Sequence, residues 1–535
     1  MKMMFGVRDQ IDLLRSKLPT TFGSAEWATL LDLRRSGNLT WASGKEMGPI
    51  IGCLTPAEVG GRDVHNLYGN GETSLLSFGP AGSGKSSGQI MPNLLCWPGS
   101  AVVIDIKGEL YEKTAGWRQA NGHRVIRVAP FEQGSARWNA FDFINNGCGE
   151  DANLPRRQEN VRYIANLAVT VNPNSKDPYF DKASKSLLQT FMMFVATAPL
   201  DGGIVRDRTM AETLRLAGQQ EPVAFKNTLA AMAKSPEDLV RQGVCTMLHM
   251  EAAREQSASV KTVLMEHLGL WGFQRIQKVT AASDFTFRQL RIRGDEKPTT
   301  IYIAIPPEEL SEYRSLLRVM IGACMRELRE SWGPVEDDKQ PPVMLFLDEF
   351  PQLHHMEPIE DALLYMRSYG VRFWFFCQSL YDLQRHYPDT WRGFIANCGT
   401  RCFYGVNEIE TAKLVSEMSG TGTVSNRSYQ VSDSQTEGEA STSGSGSSSG
   451  SGPGGWSSGS SSFSSRTFST SRTATFGTTM AYTGRPLFTP DEVLRMPFGS
   501  LITLIKGLPA IRGQLRFWYE DPEFRRRGMI APPTN

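Results

Sequence analysis

The sequence has no apolar run long enough to cross a membrane. A transmembrane helix needs about 18 to 20 consecutive apolar residues. The longest candidates, Leu187 to Leu200 and Val371 to Leu380, are too short or are broken by polar side chains. Net charge is almost absent, with 57 Lys and Arg against 56 Asp and Glu, so any nucleic-acid surface must be a local patch. Eight cysteines are scattered without zinc-finger spacing. Cys398 and Cys402, four apart, lie in a stretch that reads as loop into strand, and buried thiols in a reducing cytosol are expected. His354-His355 carry no metal-ligand spacing, and Met1-Lys-Met-Met-Phe5 runs into charged residues, so no secretory signal is expected. The expectation is a cytoplasmic chain, soluble or peripheral to a membrane. At 535 residues it is long enough for two or three domains.

The organising stretch is Ser74-Leu-Leu-Ser-Phe78 followed by Gly79-Pro-Ala-Gly-Ser-Gly-Lys-Ser86. It reads as a buried strand, a glycine-rich loop and a helix start, and it fits G-x-x-x-x-G-K-[ST] at every fixed position. Such a loop turns its N–H groups inward around an anion, and the helix adds its positive end. Gly79, Pro80, Ala81, Gly82, Ser83, Gly84, Lys85, Ser86 and Ser87 are therefore the expected nucleotide-binding residues. Lys85 is placed to reach the β- and γ-phosphates of a nucleoside triphosphate, and the Ser86 hydroxyl to hold Mg²⁺.

Strand and helix patterns alternate on either side of this loop, which implies an α/β fold with a mostly parallel sheet. Pro49 to Leu54, Gly99 to Asp105, His123 to Val128 and Thr299 to Pro306 read as strands. Asp105, Lys107 and Glu109 end one of them, where they face either a ligand or only solvent. From 151 to 298 helical periodicity dominates, as in Val161 to Val169 and Ala183 to Val195, and implies an inserted all-α domain. Ser235-Pro-Glu-Asp238 has the composition of a helix start there.

Val343-Met-Leu-Phe-Leu347 is a strand ending in Asp348-Glu349. Paired with the phosphate loop, Asp348 is the expected Mg²⁺ carboxylate and Glu349 the group that orients or deprotonates the attacking water. The helical insertion accounts for the separation of about 260 residues between the two motifs. A further strand, Val371 to Cys377, ends at Gln378-Ser379. Gln378 is read as a contact to the γ-phosphate or the water, or else as a neighbour of a Ser379 helix cap. Arg367 is a candidate for stabilising charge across a subunit boundary, with Arg372 and Arg401 as rivals.

Residues 422–480 are Ser/Gly-rich, around Ser441 to Gly450, and are expected to be disordered. Order is expected again from 481, with a capping box at Thr489 to Glu492 and strands at Ser500 to Ile505 and Gln514 to Tyr519. The expected plan is a 1–66 N-terminal segment, a nucleotide-binding domain in parts 67–150, 299–421 and 481–535, the helical domain 151–298 and the insert.

These motifs resemble the type IV secretion coupling ATPases, the TraG/TraD-like conjugative family within the RecA-like FtsK/HerA group. The resemblance is carried by Gly79 to Ser86, Met91-Pro-Asn-Leu-Leu-Cys-Trp97, Val103-Ile-Asp-Ile-Lys-Gly-Glu-Leu110, Leu345 to Phe350, Phe376-Cys-Gln-Ser379 and Arg485-Pro-Leu487. It implies a RecA-like P-loop NTPase motor with an inserted all-α domain; members of that family usually begin with transmembrane helices, which this sequence does not show, so a form lacking N-terminal transmembrane helices is expected. It implies ATP and Mg²⁺ as cofactors, with Lys85, Glu349, Gln378 and Arg367 as catalytic residues and Ser86 and Asp348 at the metal. It further implies a homo-hexamer meeting secretion-channel components; without a transmembrane run, a soluble variant, or a place peripheral at the inner membrane through a separate membrane anchor, is expected. The substrate is then relaxase-bound single-stranded DNA, or effector proteins without DNA. A non-hydrolysing docking platform is the alternative of another class.

Overall fold

The computed structural model describes residues 20–40, 46–60, 62–145, 154–169, 179–200, 203–251, 254–332, 340–452 and 455–534. They divide into two compact units. One holds Gly420–Leu487 with the described residues up to Ala25; the other holds Glu26–Ser419 and the chain from Phe488 onward.

The second unit is built on an eleven-stranded sheet. Its strands are β1 (Ile50–Leu54), β2 (His65–Tyr68), β3 (Ser74–Phe78), β4 (Ala101–Asp105), β5 (Arg124–Val128), β6 (Thr299–Ala304), β7 (Val343–Leu347), β8 (Val371–Cys377) and β9 (Cys398–Phe403). The remaining two, β12 (Ser500–Ile505) and β13 (Ile511–Gln514), come after the ribbon strands β10 (Thr421–Gly452) and β11 (Gly455–Pro486). The order is β2-β1-β13-β12-β9-β3-β8-β7-β4-β6-β5. From β9 to β5 every pairing is parallel; from β9 to β2 every pairing is antiparallel. Strands β3, β4, β6, β7 and β8 are buried throughout, which is why they read as unbroken apolar runs.

The core below the phosphate loop joins Leu75, Trp374, Phe346, Val103 and Tyr302 on the sheet to Ile90 and Leu94 on the helical segment after the loop. Between β5 and β6 the described elements are all helical, as the periodicity implies. The helix Tyr179–Thr197 is central there and buries Leu188, Phe191, Met192 and Val195.

Several details differ from the sequence reading. Within the expected N-terminal segment, β1 and β2 close one edge of the sheet, and β2 straddles the expected boundary at 66. The helix expected to start at Ser235-Pro236 starts at Asp238. Ser235 Oγ instead accepts the Glu237 N–H at 3.2 Å, and the Glu237 carbonyl takes the first helical hydrogen bonds. The last strand is Ile511–Gln514, not 514–519. Leu515 and Phe517 are buried because they pack against the phosphate loop, not because they extend a ladder.

The largest correction concerns 422–480, expected to lack order. In the first unit β10 (Thr421–Gly452) and β11 (Gly455–Pro486) form one antiparallel ladder without a break in register. Backbone pairing is indifferent to side-chain identity, so a Ser/Thr/Gly sequence enters it without any apolar alternation. Phe463 and Phe468 are exposed on this ribbon.

Candidate nucleotide-binding site

Strand β8 lies between β3, which leads into the phosphate loop, and β7, which ends at the acidic pair. All three are parallel, so their C-terminal ends meet at one edge. Residues far apart in sequence therefore converge: Lys85, Asp348, Glu349 and Gln378.

The loop leaves β3 through Gly79, whose N–H donates to Cys377 O at 3.0 Å. A Cβ on Gly79 would lie 2.3 Å from the Tyr404 ring, so this position has no room for a side chain. Gly84 has φ +98°, a conformation that L side chains rarely adopt. After Lys85 the chain enters a widened helical turn, Ser86–Ile90, in which the Met91 N–H reaches back to Ser86 O. Ala81 and Gly82 are exposed, Pro80, Ser86 and Ser87 half-buried, and Ser83 buried with its hydroxyl donating to Pro80 O at 2.7 Å.

This turn is fixed by a buried polar network that sequence motifs did not reveal. Ser77 Oγ donates to Gln89 Oε1 at 2.8 Å, and Tyr404 OH donates to the same oxygen at 3.0 Å. Trp374 Nε1 donates to Ser77 Oγ, and Gln89 Nε2 donates to Ile51 O. Asn93 bonds both the N–H and the carbonyl of Ile50. Each buried polar group so paired avoids a desolvation cost of about 1–3 kcal/mol.

Lys85 is buried, and its ammonium donates to Gly79 O at 2.7 Å and Pro80 O at 3.2 Å. It also lies 3.5 Å from Glu349 Oε1. The other oxygen, Glu349 Oε2, accepts from Gln378 Nε2 at 2.9 Å. Glu349 itself has φ +50°, a strained setting for a non-glycine residue, and one that marks functional sites. Its N–H donates to Asp348 Oδ1 at 3.1 Å. Burial, with the Glu349 carboxylate beside it, pushes the Asp348 carboxyl up to about 7. Oxygen donors of this kind, Ser86 Oγ and an Asp348 carboxylate disfavoured without a positive partner, fit a hard divalent cation such as Mg²⁺.

The turn after Glu349 is clamped from the helix Leu310–Glu330. The buried Arg318 guanidinium donates to the carbonyls of Leu353 and His355 and to that of Leu167. Nothing in the local sequence indicates this role, because all three partners are distant. Ser379 caps the helix Leu380–His386 by accepting the Asp382 N–H, as one reading of this pair expected, while Gln378 turns to Glu349.

Other sequence candidates lie elsewhere. Asp105 is buried and caps the next helix, accepting from Leu110 N–H at 3.3 Å and Tyr111 N–H at 2.8 Å. Lys107 and Glu109 are exposed. Arg367 and Arg372 lie at the opposite end of β8 from Gln378, roughly 20 Å away along a seven-residue strand. Arg367 is exposed and pairs with Glu72. Arg372 is buried, and its guanidinium donates to Gly71 O, Arg367 O and Val371 O. Both line a cleft of about 430 Å³ with Arg291 and Trp332. Arg401, half-buried in β9, donates to Ile395 O. Cys398 and Cys402 are buried free thiols, as expected.

Residues 26–450 and 457–531 match the type IV secretory system conjugative DNA transfer family. The chain belongs to this family. It is 28% identical over 565 residues to a conjugal transfer protein TraG of Escherichia coli, covering 96% of this chain and 79% of that protein. It is 25% identical over 530 residues to protein VirD4 of Agrobacterium fabrum, covering 97% and 70%. Among solved structures it is similar to the bacterial conjugative coupling protein TrwBdeltaN70 in an unbound form, with TM-score 0.60, 15% identity, and 93% and 94% of the two chains covered. It is also similar to TrwB in complex with ADP and Mg²⁺, with TM-score 0.56, 15% identity, and 83% and 85% covered. These structures share the fold, a large mostly parallel sheet of the RecA-like type. Like the sequence, the described residues contain no helix long and apolar enough to cross a membrane.

Proposed function

We propose that this member of the conjugative DNA transfer family is an ATP-hydrolysing coupling protein. It would deliver relaxase-bound single-stranded DNA to a type IV secretion channel. The observation that carries the reading is the convergence of Lys85, Glu349 and Gln378 at one edge of the sheet, with Glu349 held at 2.9 Å by Gln378 and 3.5 Å from Lys85. TrwB, which shares the fold, is known in complex with ADP and Mg²⁺ and with non-hydrolysable ATP and GTP analogues.

In this reading Gly79 to Ser87 hold the phosphates, and Lys85 exchanges its loop carbonyls for phosphate oxygens. Ser86 and Asp348 hold Mg²⁺, which supplies charge neutralisation on the phosphates when bound. Glu349, released from Lys85 by that exchange, takes a proton from the attacking water, and Gln378 orients Glu349. Arg367, exposed at the other end of β8, is the candidate to reach a neighbouring subunit in a ring of six. Channel components and a separate membrane anchor would place that ring at the inner membrane.

The test is ATP turnover of the chain beside Lys85→Ala, with and without single-stranded DNA, at low and moderate salt. Turnover that DNA stimulates, salt suppresses and the variant lacks is expected. Turnover indifferent to DNA would refute the nucleic-acid part. Bound ATP without turnover would refute hydrolysis.

A further inference from the structure

Three aromatic rings form an open stack against the phosphate loop. The Phe517 and Phe498 centroids are 5.4 Å apart with planes 11° from parallel; Phe517 and Tyr519 are 5.3 Å apart and 20° from parallel. Phe517 is 5% exposed, whereas Phe498 is 66% and Tyr519 44% exposed. Single exposed apolar side chains are ordinary, but two exposed rings flanking a buried one in a near-parallel stack are not.

The stack is rigidly presented. The Ser500 N–H donates to Pro497 O at 3.0 Å, closing a turn that holds Phe498 out. The Leu515 N–H donates to Gly499 O at 2.7 Å. The stack is also tied to the loop: the Trp518 N–H donates to Ser87 O at 3.1 Å, and a Cβ on Gly84 would come 2.7 Å from Phe517 Cε1. Gly84 immediately precedes Lys85, so the rings begin where the phosphate cradle ends. Heteroaromatic bases bind by their faces to aromatic side chains, and three near-parallel rings without a charged member suit that mode.

We propose that the Phe498–Phe517–Tyr519 stack is the base-binding face for a nucleotide whose phosphates the loop holds. The proposal rests on the phosphate-loop reading. Loop and stack then grip different parts of one ligand. Because stacking uses the ring face, this surface favours larger purine bases without selecting sharply between them.

The experiment is titration calorimetry of the full chain with Mg–ATP and, separately, with inorganic triphosphate. It compares wild type, Phe498→Ala, Tyr519→Ala and the double variant. Both flanking rings are exposed, so truncation leaves the core intact; matched thermal midpoints check this, and Tyr519→Phe serves as the conservative control. In the double variant the Kd for ATP is expected to rise about tenfold, with that for triphosphate unchanged within twofold; Tyr519→Phe should bind as wild type does. Unchanged ATP affinity, or equal losses for both ligands, overturns the proposal. So does unchanged ATP affinity with lost self-association, which would make the stack a subunit contact. If wild type binds neither ligand, the phosphate-loop reading fails first and takes this one with it.

Discussion

Gln378 donates to Glu349 through a 2.9 Å hydrogen bond between the ends of neighbouring strands β8 and β7. Glu349 is thereby fixed on one oxygen by an amide and approached on the other by the Lys85 ammonium. The amide has no charge to give, so its contribution is orientation. Gln378→Ala should lower kcat for ATP about tenfold or more while leaving nucleotide affinity within about threefold, since a misplaced base loses rate rather than binding. Steady-state turnover beside equilibrium binding checks this; an equal loss in both would place Gln378 on the nucleotide instead.

Lys85 and Glu349 should separate binding from chemistry. Lys85→Ala removes the cation that the cradle aims at phosphate, and nucleotide binding should be lost. Glu349→Gln keeps the shape and should retain binding with turnover reduced about 10²- to 10⁴-fold, the usual range for a lost general base. A Glu349→Gln variant that still turns over at the wild-type rate would remove Glu349 from the mechanism.

The arginines at the far end of β8 should behave oppositely. Arg372 satisfies three backbone carbonyls from a buried position. Arg372→Ala strands them and should destabilise the fold by about 1–3 kcal/mol. The exposed Arg367–Glu72 pair should contribute less than about 1 kcal/mol. Urea denaturation of the two variants gives the comparison. If Arg367 acts on a neighbour, Arg367→Ala loses turnover without losing stability, and mixing it with Lys85→Ala protein should restore part of the activity; no restoration would argue against a trans role.

Glu327 gives the chain a pH-dependent stability. It is buried on the helix Leu310–Glu330 and accepts the Arg288 N–H at 3.1 Å. Burial pushes its carboxyl up to about 7, from an ordinary value near 4.5. Below pH 4.5 folded and unfolded chains both hold the proton. Between 4.5 and 7 the unfolded chain releases it and the folded chain keeps it, so stability falls as pH rises. Above 7 the loss levels off at about 3 kcal/mol. Glu327→Gln keeps the acceptor and removes this group's share of the slope, so its urea midpoint should match wild type at pH 4.5 and exceed it at pH 8. Parallel pH profiles would show that another group dominates.

The phosphate loop, Asp348-Glu349 and Gln378 were legible because each motif is local and each follows a strand whose two buried faces leave an apolar run. The same reasoning placed β3, β4, β6, β7 and β8. It misplaced the last strand, since Leu515 and Phe517 are apolar for another reason: they back the loop at Gly84. It could not see Arg318, Gln89 or Tyr404, whose partners are distant in the chain and carry no sequence spacing. The partners of Arg367, Arg372 and Arg401 were likewise out of reach, because only folding supplies them. The ribbon was invisible because its pairing uses main-chain groups that every residue has.

That ribbon begins and ends at one doorway. Thr421 stands opposite Pro486, and the Leu487 N–H returns to Gly420 O at 2.9 Å. Opposed residues can be trimmed from both arms together without changing the match of those that remain, because the ladder has no slip along its length. Its length can therefore change in steps of one opposed pair. A lineage can lengthen or shed it, and an experimenter can splice a reporter into its tip, without rewriting the chain on either side.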